Sequence, residues 1–161
     1  MGVIYVGVGE FGVSKNKGDI VKTMALGSCV GVIVMDPAMQ SVGLLHVALP
    51  DSSINKNRVA ERPGMFADTG IPLLLDEMKK LGSGPGSKFI VKLAGGASIM
   101  DPNNTFNIGK RNVLAIKKVL WKYKLGAISE DVGDFFSRTV SLYVDSGRAI
   151  LSSPGRGEWE I

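Results

Sequence analysis

The sequence holds one cysteine, Cys29, and one histidine, His46, in 161 residues. A single cysteine excludes an internal disulfide and fits a reducing compartment. Two such side chains fall short of the roughly four Cys/His ligands of a structural zinc site, so no metal is expected. No apolar run reaches the ~18–20 residues that span a bilayer, so direct membrane insertion is not expected. The opening MGVIYVGVGEFG lacks the basic start and long apolar core of a signal peptide, and Val6 stands where a myristoylation pattern requires Ser or Thr. With no export signal, the glycosylation sequon at Asn103-Asn104-Thr105 is set aside and a cytoplasmic location is expected.

Charge of either sign is modest: 19 Lys and Arg against 15 Asp and Glu, a net charge of +4. That balance favours acidic partners without singling out nucleic acid. Hydrophobic residues make up 45% of the chain, enough for a real core at this length, and residues 1–161 are expected to form a single domain. Glycine is abundant: 21 residues, close to twice the roughly 7% share of an average protein. The glycines follow no repeat and separate apolar runs, which points to many short strands joined by turns.

Residues 3–8 are β-branched and apolar and read as a strand, turned by Gly9–Gly12. Residues 20–26 form a mixed run ending at Gly27-Ser28-Cys29. Residues 30–35 and 42–49 are near-continuous apolar runs, the pattern of strands covered on both faces, and their spacing suggests a hairpin. Residues 52–63 are polar and irregular and read as the longest loop. Ile71, Leu74, Leu75, Met78 and Leu81 then follow helical spacing, with Asp68 or Thr69 as cap, Pro72 in the first turn and Gly82 as stop. After a strand at 89–93, a second helix is expected over 108–125, capped by Asn107 and ended by Gly126. Strands at 127–132, 139–144 and 148–152 follow, and 154–161 reads as a peripheral tail. Strands, helix, strand, helix, strands is not a βαβα alternation. The expected class is α+β: a sandwich of mixed or antiparallel sheets with two main helices packed against it.

Gly7-Val8-Gly9-Glu10-Phe11-Gly12 matches the dinucleotide-binding glycine pattern, but no helical period follows it, so a turn between strands is the better reading. Lys110, Arg111, Lys117, Lys118, Lys122 and Lys124 crowd the second helix. They show no base-reading motif, so a solvated face or a dock for acidic protein is preferred to nucleic acid.

A lone cysteine is most often a small buried hydrophobe and a lone histidine in an apolar strand a core residue with one hydrogen bond. Their setting argues for more. Cys29 follows Gly27-Ser28 and begins a buried run, where small neighbours leave room for a carbonyl and backbone N–H groups can hold an oxyanion. If the two apolar runs pair as a hairpin, His46 near the end of the second approaches Cys29 at the start of the first. An adjacent imidazole makes the thiolate available, so the two can form a nucleophile–base pair. A third group must orient the imidazole. Thr23, Ser28, Asp51 and Asp19 are the polar candidates, and the pattern does not rank them.

The sequence closely resembles the CheD family, the chemoreceptor glutamine deamidases of bacterial and archaeal chemotaxis, over nearly the whole chain. The carriers are Leu26-Gly27-Ser28-Cys29-Val30, His46-Val47-Ala48-Leu49-Pro50, Gly95-Gly96-Ala97, Asn107-Ile108-Gly109 with Arg111-Asn112, and Asp131-Val132-Gly133, in that order. The resemblance implies Cys29 as nucleophile, His46 as general base and Thr23 as the group that orients it. It implies a fold similar to the catalytic domain of cytotoxic necrotizing factor toxins. It implies deamidation of glutamines on cytoplasmic helices of chemotaxis receptors through a thioester, with no cofactor, and allows hydrolysis of receptor glutamyl methyl esters. The alternative it implies is a binding module that docks on a CheC-type phosphatase. Many members continue Asp-Val-Gly with glycine and then Gly-Arg; here Asp134 follows Gly133 and Ser137 precedes Arg138, so the loop 133–138 is expected to differ in shape.

Overall fold

Ten strands and three helices follow one another in a computed structural model that describes residues 2–99, 103 and 105–161. The strands are β1 (Val3–Tyr5), β2 (Phe11–Ser14), β3 (Ile20–Leu26), β4 (Val30–Asp36), β5 (Ser41–Val47), β6 (Ile90–Gly95), β7 (Ala127–Val132), β8 (Arg138–Tyr143), β9 (Ala149–Ser153) and β10 (Gly157–Glu160). The helices are α1 (Lys56–Glu61), α2 (Ala67–Lys80) and α3 (Ile108–Lys122). Asn104 of the sequon lies outside the described residues.

One sheet runs β1-β3-β8-β9-β10 and the other β2-β5-β4-β6-β7. β1 with β3 and β6 with β7 are parallel; every other pair is antiparallel, so both sheets are mixed and the α+β expectation holds. Every residue of β4 and β5 is buried, because the second sheet is covered twice. Val30, Val32, Val34, Leu45 and Val47 pack under α2 and α3, against Ile71, Leu74, Met78, Ile116 and Leu120. Ile33, Met35, Val42 and Leu44 pack on Val21, Val140, Leu142 and Leu151 of the first sheet. A strand in the middle of three layers has no polar face, which is why both runs read as continuously apolar.

The structure differs from the sequence expectation in six places. The first strand ends at Tyr5, and β2 starts at Phe11 inside the stretch read as a turn, pairing with β5. The loop 52–63 contains α1, whose first turn is capped by the Asn55 side chain bonding the Arg58 N–H. α2 begins at Ala67, which leaves Pro72 in its second turn. The Asp68 carboxylate does not cap α2; it accepts from the N–H and hydroxyl of Ser52 at 2.9 and 2.6 Å and ties the loop to the helix. Asn107 enters α3 in a left-handed conformation (φ 53°) and its side chain makes no capping bond. The tail is no appendage: β10 extends the first sheet, and the Trp159 indole N–H donates to Asp131 at 2.7 Å.

Candidate active site

β4 and β5 form the expected hairpin, with Val30 opposite Val47 and Gly31 opposite His46. Carried one residue further, the register sets Cys29 across from Ala48. Cys29 and His46 are thus diagonal neighbours whose side chains share one face, the face turned toward the first sheet. Cys29 is half-buried there against the apolar cluster between the sheets. Thr23 reaches the same place from β3 of the opposite sheet and is fully buried.

Of the four polar candidates for orienting His46, Thr23 is the one in contact: its Oγ1 lies 2.7 Å from His46 Nδ1. Asp19 accepts from the Ser14 hydroxyl and the Gly2 N–H, Asp51 accepts from the Ser53 N–H, and the Ser28 carbonyl is held by Asn112. Thr23 also donates to the Val6 carbonyl at 2.7 Å. A hydroxyl has one proton and a carbonyl has none. With that proton on Val6, Thr23 must accept from His46, so Nδ1 carries the hydrogen and Nε2 carries the lone pair. Nε2 is buried and has no partner among the described residues, the Cys29 thiol included.

Burial lowers the His46 pKa to about 4, against a smaller upward pull from the Glu10 carboxylate. Burial also pushes the Cys29 thiol up, opposed by its own backbone N–H. At neutral pH the resting pair is a thiol beside a neutral imidazole, a base with an open lone pair rather than a preformed ion pair.

The glycine-rich turn after β1 serves this histidine. The Gly9 N–H donates to the His46 carbonyl at 2.9 Å and the His46 N–H donates to the Glu10 carbonyl at 3.1 Å. The loop before Cys29 is held from the other side. The Gly27 carbonyl accepts from the Ala97 N–H at 2.8 Å, and the Cys29 carbonyl from the Gly96 N–H at 2.9 Å. Asn112, fully buried on α3, bonds the Ser28 and Ala48 carbonyls at 3.0 Å each. These contacts require the glycines of the motifs. Gly95 has φ +114° and a Cβ there would strike the Cys29 carbonyl oxygen; a Cβ on Gly109 would strike the carbonyl of Gly96.

Beside the loop, Gly27, Ser28, Ala97, Ser98, Ile99, Phe106, Ile108 and Gly109 line an open cavity of ≈ 250 Å³, largely apolar and of a size for one or two side chains. Arg138 is 2% exposed. Its guanidinium donates to Asp131 at 2.8 Å and to the Gly133 carbonyl at 2.8 Å, and lies 4.2 Å from the Phe136 ring centre. Arg138 therefore holds both ends of the Asp131-Val132-Gly133 motif. The six basic residues of the 108–125 segment are all exposed, and Lys117 pairs with Glu130 at 2.8 Å. Among the described residues, no group of three or more His, Cys, Asp or Glu is placed to hold a metal, and no helix is long and apolar enough to cross a membrane.

Residue types and spacing suggested Cys29 and His46, and the hairpin brings them to one face. They gave no role to Asn112, Arg138 or Glu10. Asn112 and Asp131 stood in the motifs quoted above, which marked their positions but not the carbonyls and guanidinium they hold.

The family model described as CheD chemotactic sensory transduction matches residues 48–153. The chain is 52% identical over 162 residues to a probable chemoreceptor glutamine deamidase CheD of Syntrophotalea carbinolica, covering all of both chains. It is 46% identical to a probable chemoreceptor glutamine deamidase CheD 1 of Syntrophus aciditrophicus, covering 96% of each. It is 39% identical to the chemoreceptor glutamine deamidase CheD of Thermotoga maritima, covering 95% of this chain and 93% of that one. A match of this extent leads to one conclusion: the chain belongs to the CheD family.

Proposed function

We propose that this protein is a cytoplasmic, single-domain glutamine deamidase of chemotaxis receptors, using Cys29 as nucleophile, His46 as base and Thr23 as the residue that orients the base. The names of the relatives support the reaction and the receptor as substrate. The observation that carries the assignment of roles is the buried imidazole tied through Nδ1 to Thr23, with Nε2 open on the face it shares with Cys29.

In this reading, His46 Nε2 takes the thiol proton as the sulfur attacks the side-chain carboxamide carbon of a receptor glutamine. The N–H of Cys29 supports the negative charge that develops on the oxygen. The imidazolium returns its proton to the nitrogen, the C–N bond breaks, and ammonia leaves a thioester. His46 then takes a proton from water as the water attacks; the C–S bond breaks, the sulfur is reprotonated, and glutamate is released. Burial leaves the imidazole neutral at rest, with its lone pair available, and makes the imidazolium a ready donor that returns the proton quickly. The same steps applied to a glutamyl methyl ester would release methanol.

The apolar cavity beside Gly27 and Ser28 would take a side chain of the receptor helix next to the target glutamine. A CheC-type phosphatase is the second partner of this reading, competing for the same cleft. The sandwich with helices on one side is compatible with the cytotoxic-necrotizing-factor-like hydrolase fold, which completes the proposal. Peptide mass spectrometry of a receptor cytoplasmic fragment incubated with wild type, Cys29→Ala and His46→Ala tests it. Glutamine-to-glutamate conversion by wild type alone supports the assignment; conversion by either variant at the wild-type rate overturns it.

A further inference from the structure

Three consecutive carbonyls of the nucleophile loop, those of Gly27, Ser28 and Cys29, are each bound from one side, by the Ala97 N–H, Asn112 Nδ2 and the Gly96 N–H. In a trans peptide the C=O and the following N–H point in opposite directions. Binding the Ser28 carbonyl from the α3 side therefore turns the N–H of Cys29 the other way. That N–H donates to no backbone or side-chain oxygen in the described hydrogen bonds, and it is near enough to its own sulfur to oppose the upward push of burial on the thiol. No described group takes it up, so it is available to a carbonyl attacked by that sulfur.

Two of the three holders are main-chain groups of the Gly95-Gly96-Ala97 segment. The third is a side chain. Asn112 sits inside a helix, fully buried, and uses both hydrogens of its carboxamide on Ser28 and Ala48, one residue before the nucleophile and two after the base. Its Oδ1 has no partner among the described residues, so its polar work is carried by the two donors. An asparagine inside a helix is a weak helix former, and an apolar residue would suit its neighbours Val113 and Ile116 better.

We propose that Asn112 is a positioning residue of the deamidation reaction: by clamping the Ser28 and Ala48 carbonyls together, it fixes the Ser28–Cys29 peptide with its N–H aimed at the oxyanion. This rests on the deamidase reading. It separates Asn112 from the residues that activate the thiol, because an oxyanion forms during attack on a carboxamide and not during alkylation by iodoacetamide, which displaces iodide at a saturated carbon.

The experiment compares wild type, Asn112→Ala, Asn112→Asp and Val119→Ala. The Asp variant is isosteric and offers at most one donor proton. Val119 is buried in the core from the same helix, seven residues beyond Asn112, and serves as the control for lost packing. Three quantities are read: kcat and KM for a receptor fragment, the rate of Cys29 alkylation, and the thermal midpoint. For both Asn112 variants kcat falls roughly ten- to a hundred-fold, somewhat less than the loss of a whole oxyanion donor. KM and the alkylation rate stay within about three-fold of wild type, a span of well under 1 kcal/mol. Val119→Ala lowers the midpoint and leaves kcat within the same range. An unchanged kcat in a folded Asn112 variant overturns the proposal. So does a parallel fall of kcat and alkylation, or an equal loss of kcat in Val119→Ala. If Asn112→Ala does not fold, Asn112→Asp decides between the same outcomes. Failure of the wild type to convert any glutamine sinks the deamidase reading and this proposal with it.

Discussion

Thr23 and His46 approach from opposite sheets, and the proton count of the Thr23 hydroxyl fixes the tautomer of the imidazole. Oγ1 gives its hydrogen to the Val6 carbonyl and receives the one on Nδ1, both at 2.7 Å. In the proposed mechanism a neutral side chain does what a carboxylate does in many hydrolytic triads. It orients the ring without adding a charge that would raise its pKa.

Thr23→Val keeps the shape and removes the hydroxyl. It leaves the Val6 carbonyl and Nδ1 without their partner and frees the ring to take the other tautomer. We expect kcat to fall roughly ten- to a hundred-fold, within the range for general-base contributions, and Thr23→Ser to recover most of it. Steady-state kinetics on a receptor fragment checks both. Equal activity in Thr23→Val would remove Thr23 from the mechanism.

The buried imidazole also makes stability depend on pH. The folded pKa of His46, about 4, lies below the ordinary 6.5. Between those values the unfolded chain binds a proton that the folded protein refuses, so stability falls as pH drops through that window and is fully present above it. The span corresponds to an effect on the order of 3 kcal/mol. Urea unfolding of wild type and His46→Gln at pH 7 and pH 5 isolates it: the wild type loses more stability between the two. Equal losses would mean that His46 is not held neutral.

Gly95→Ala should act on Cys29 through the backbone. The added methyl group meets the Cys29 carbonyl oxygen at a φ of +114° that side chains rarely adopt. We expect a loss of roughly 1–3 kcal/mol in stability and a fall in kcat larger than any change in KM, read by chemical denaturation and kinetics. A fully active, fully stable variant would show that this carbonyl is not held as described.

Arg138→Met tests the brace on the Asp131-Val132-Gly133 motif. The guanidinium is 2% exposed, while Asp131 keeps a quarter of its side chain in solvent and a bond from Trp159. Removing the cation leaves the carboxylate with the Trp159 N–H alone and the Gly133 carbonyl without the Arg138 donor, at a cost of roughly 3 kcal/mol by the precedent of broken buried pairs. Asp131→Asn in the same chain should return part of that loss in thermal unfolding. No return would place the cost in packing around Phe136 instead.

Much of the fold was legible because burial leaves a simple mark. β4 and β5 are covered on both faces, so their apolar runs are unbroken and their hairpin follows from the short connection. β2 was hidden because its glycine and its four-residue length look like a turn, and only its pairing with β5 makes it a strand. β10 was missed for a similar reason: Gly157–Glu160 is an edge strand with mostly exposed residues, and Trp159 alone is anchored by a distant carboxylate. The Asp68 carboxylate had the position of a cap but was drawn to Ser52, a contact from outside the helix that local pattern does not encode.

At the site, the hairpin expected from the sequence sufficed to set Cys29 and His46 on one face. Selecting Thr23 over Asp19, Asp51 and Ser28 needed either the family resemblance or the stacking of two sheets, since β3 and β5 belong to different sheets and no spacing rule connects them. Asn112 lies 84 residues from the carbonyl of Ser28 that it holds, and such a contact exists only once α3 has docked.

The most direct test of the central claim is to trap the acyl group on Cys29. A receptor fragment is incubated with the protein in the presence of hydroxylamine, and its glutamine sites are read by mass spectrometry. A thioester partitions between water and hydroxylamine, so the account predicts glutamate and glutamyl hydroxamate at the same positions, and neither with Cys29→Ala. Glutamate without hydroxamate across a range of hydroxylamine concentrations, or conversion by Cys29→Ala, would contradict it.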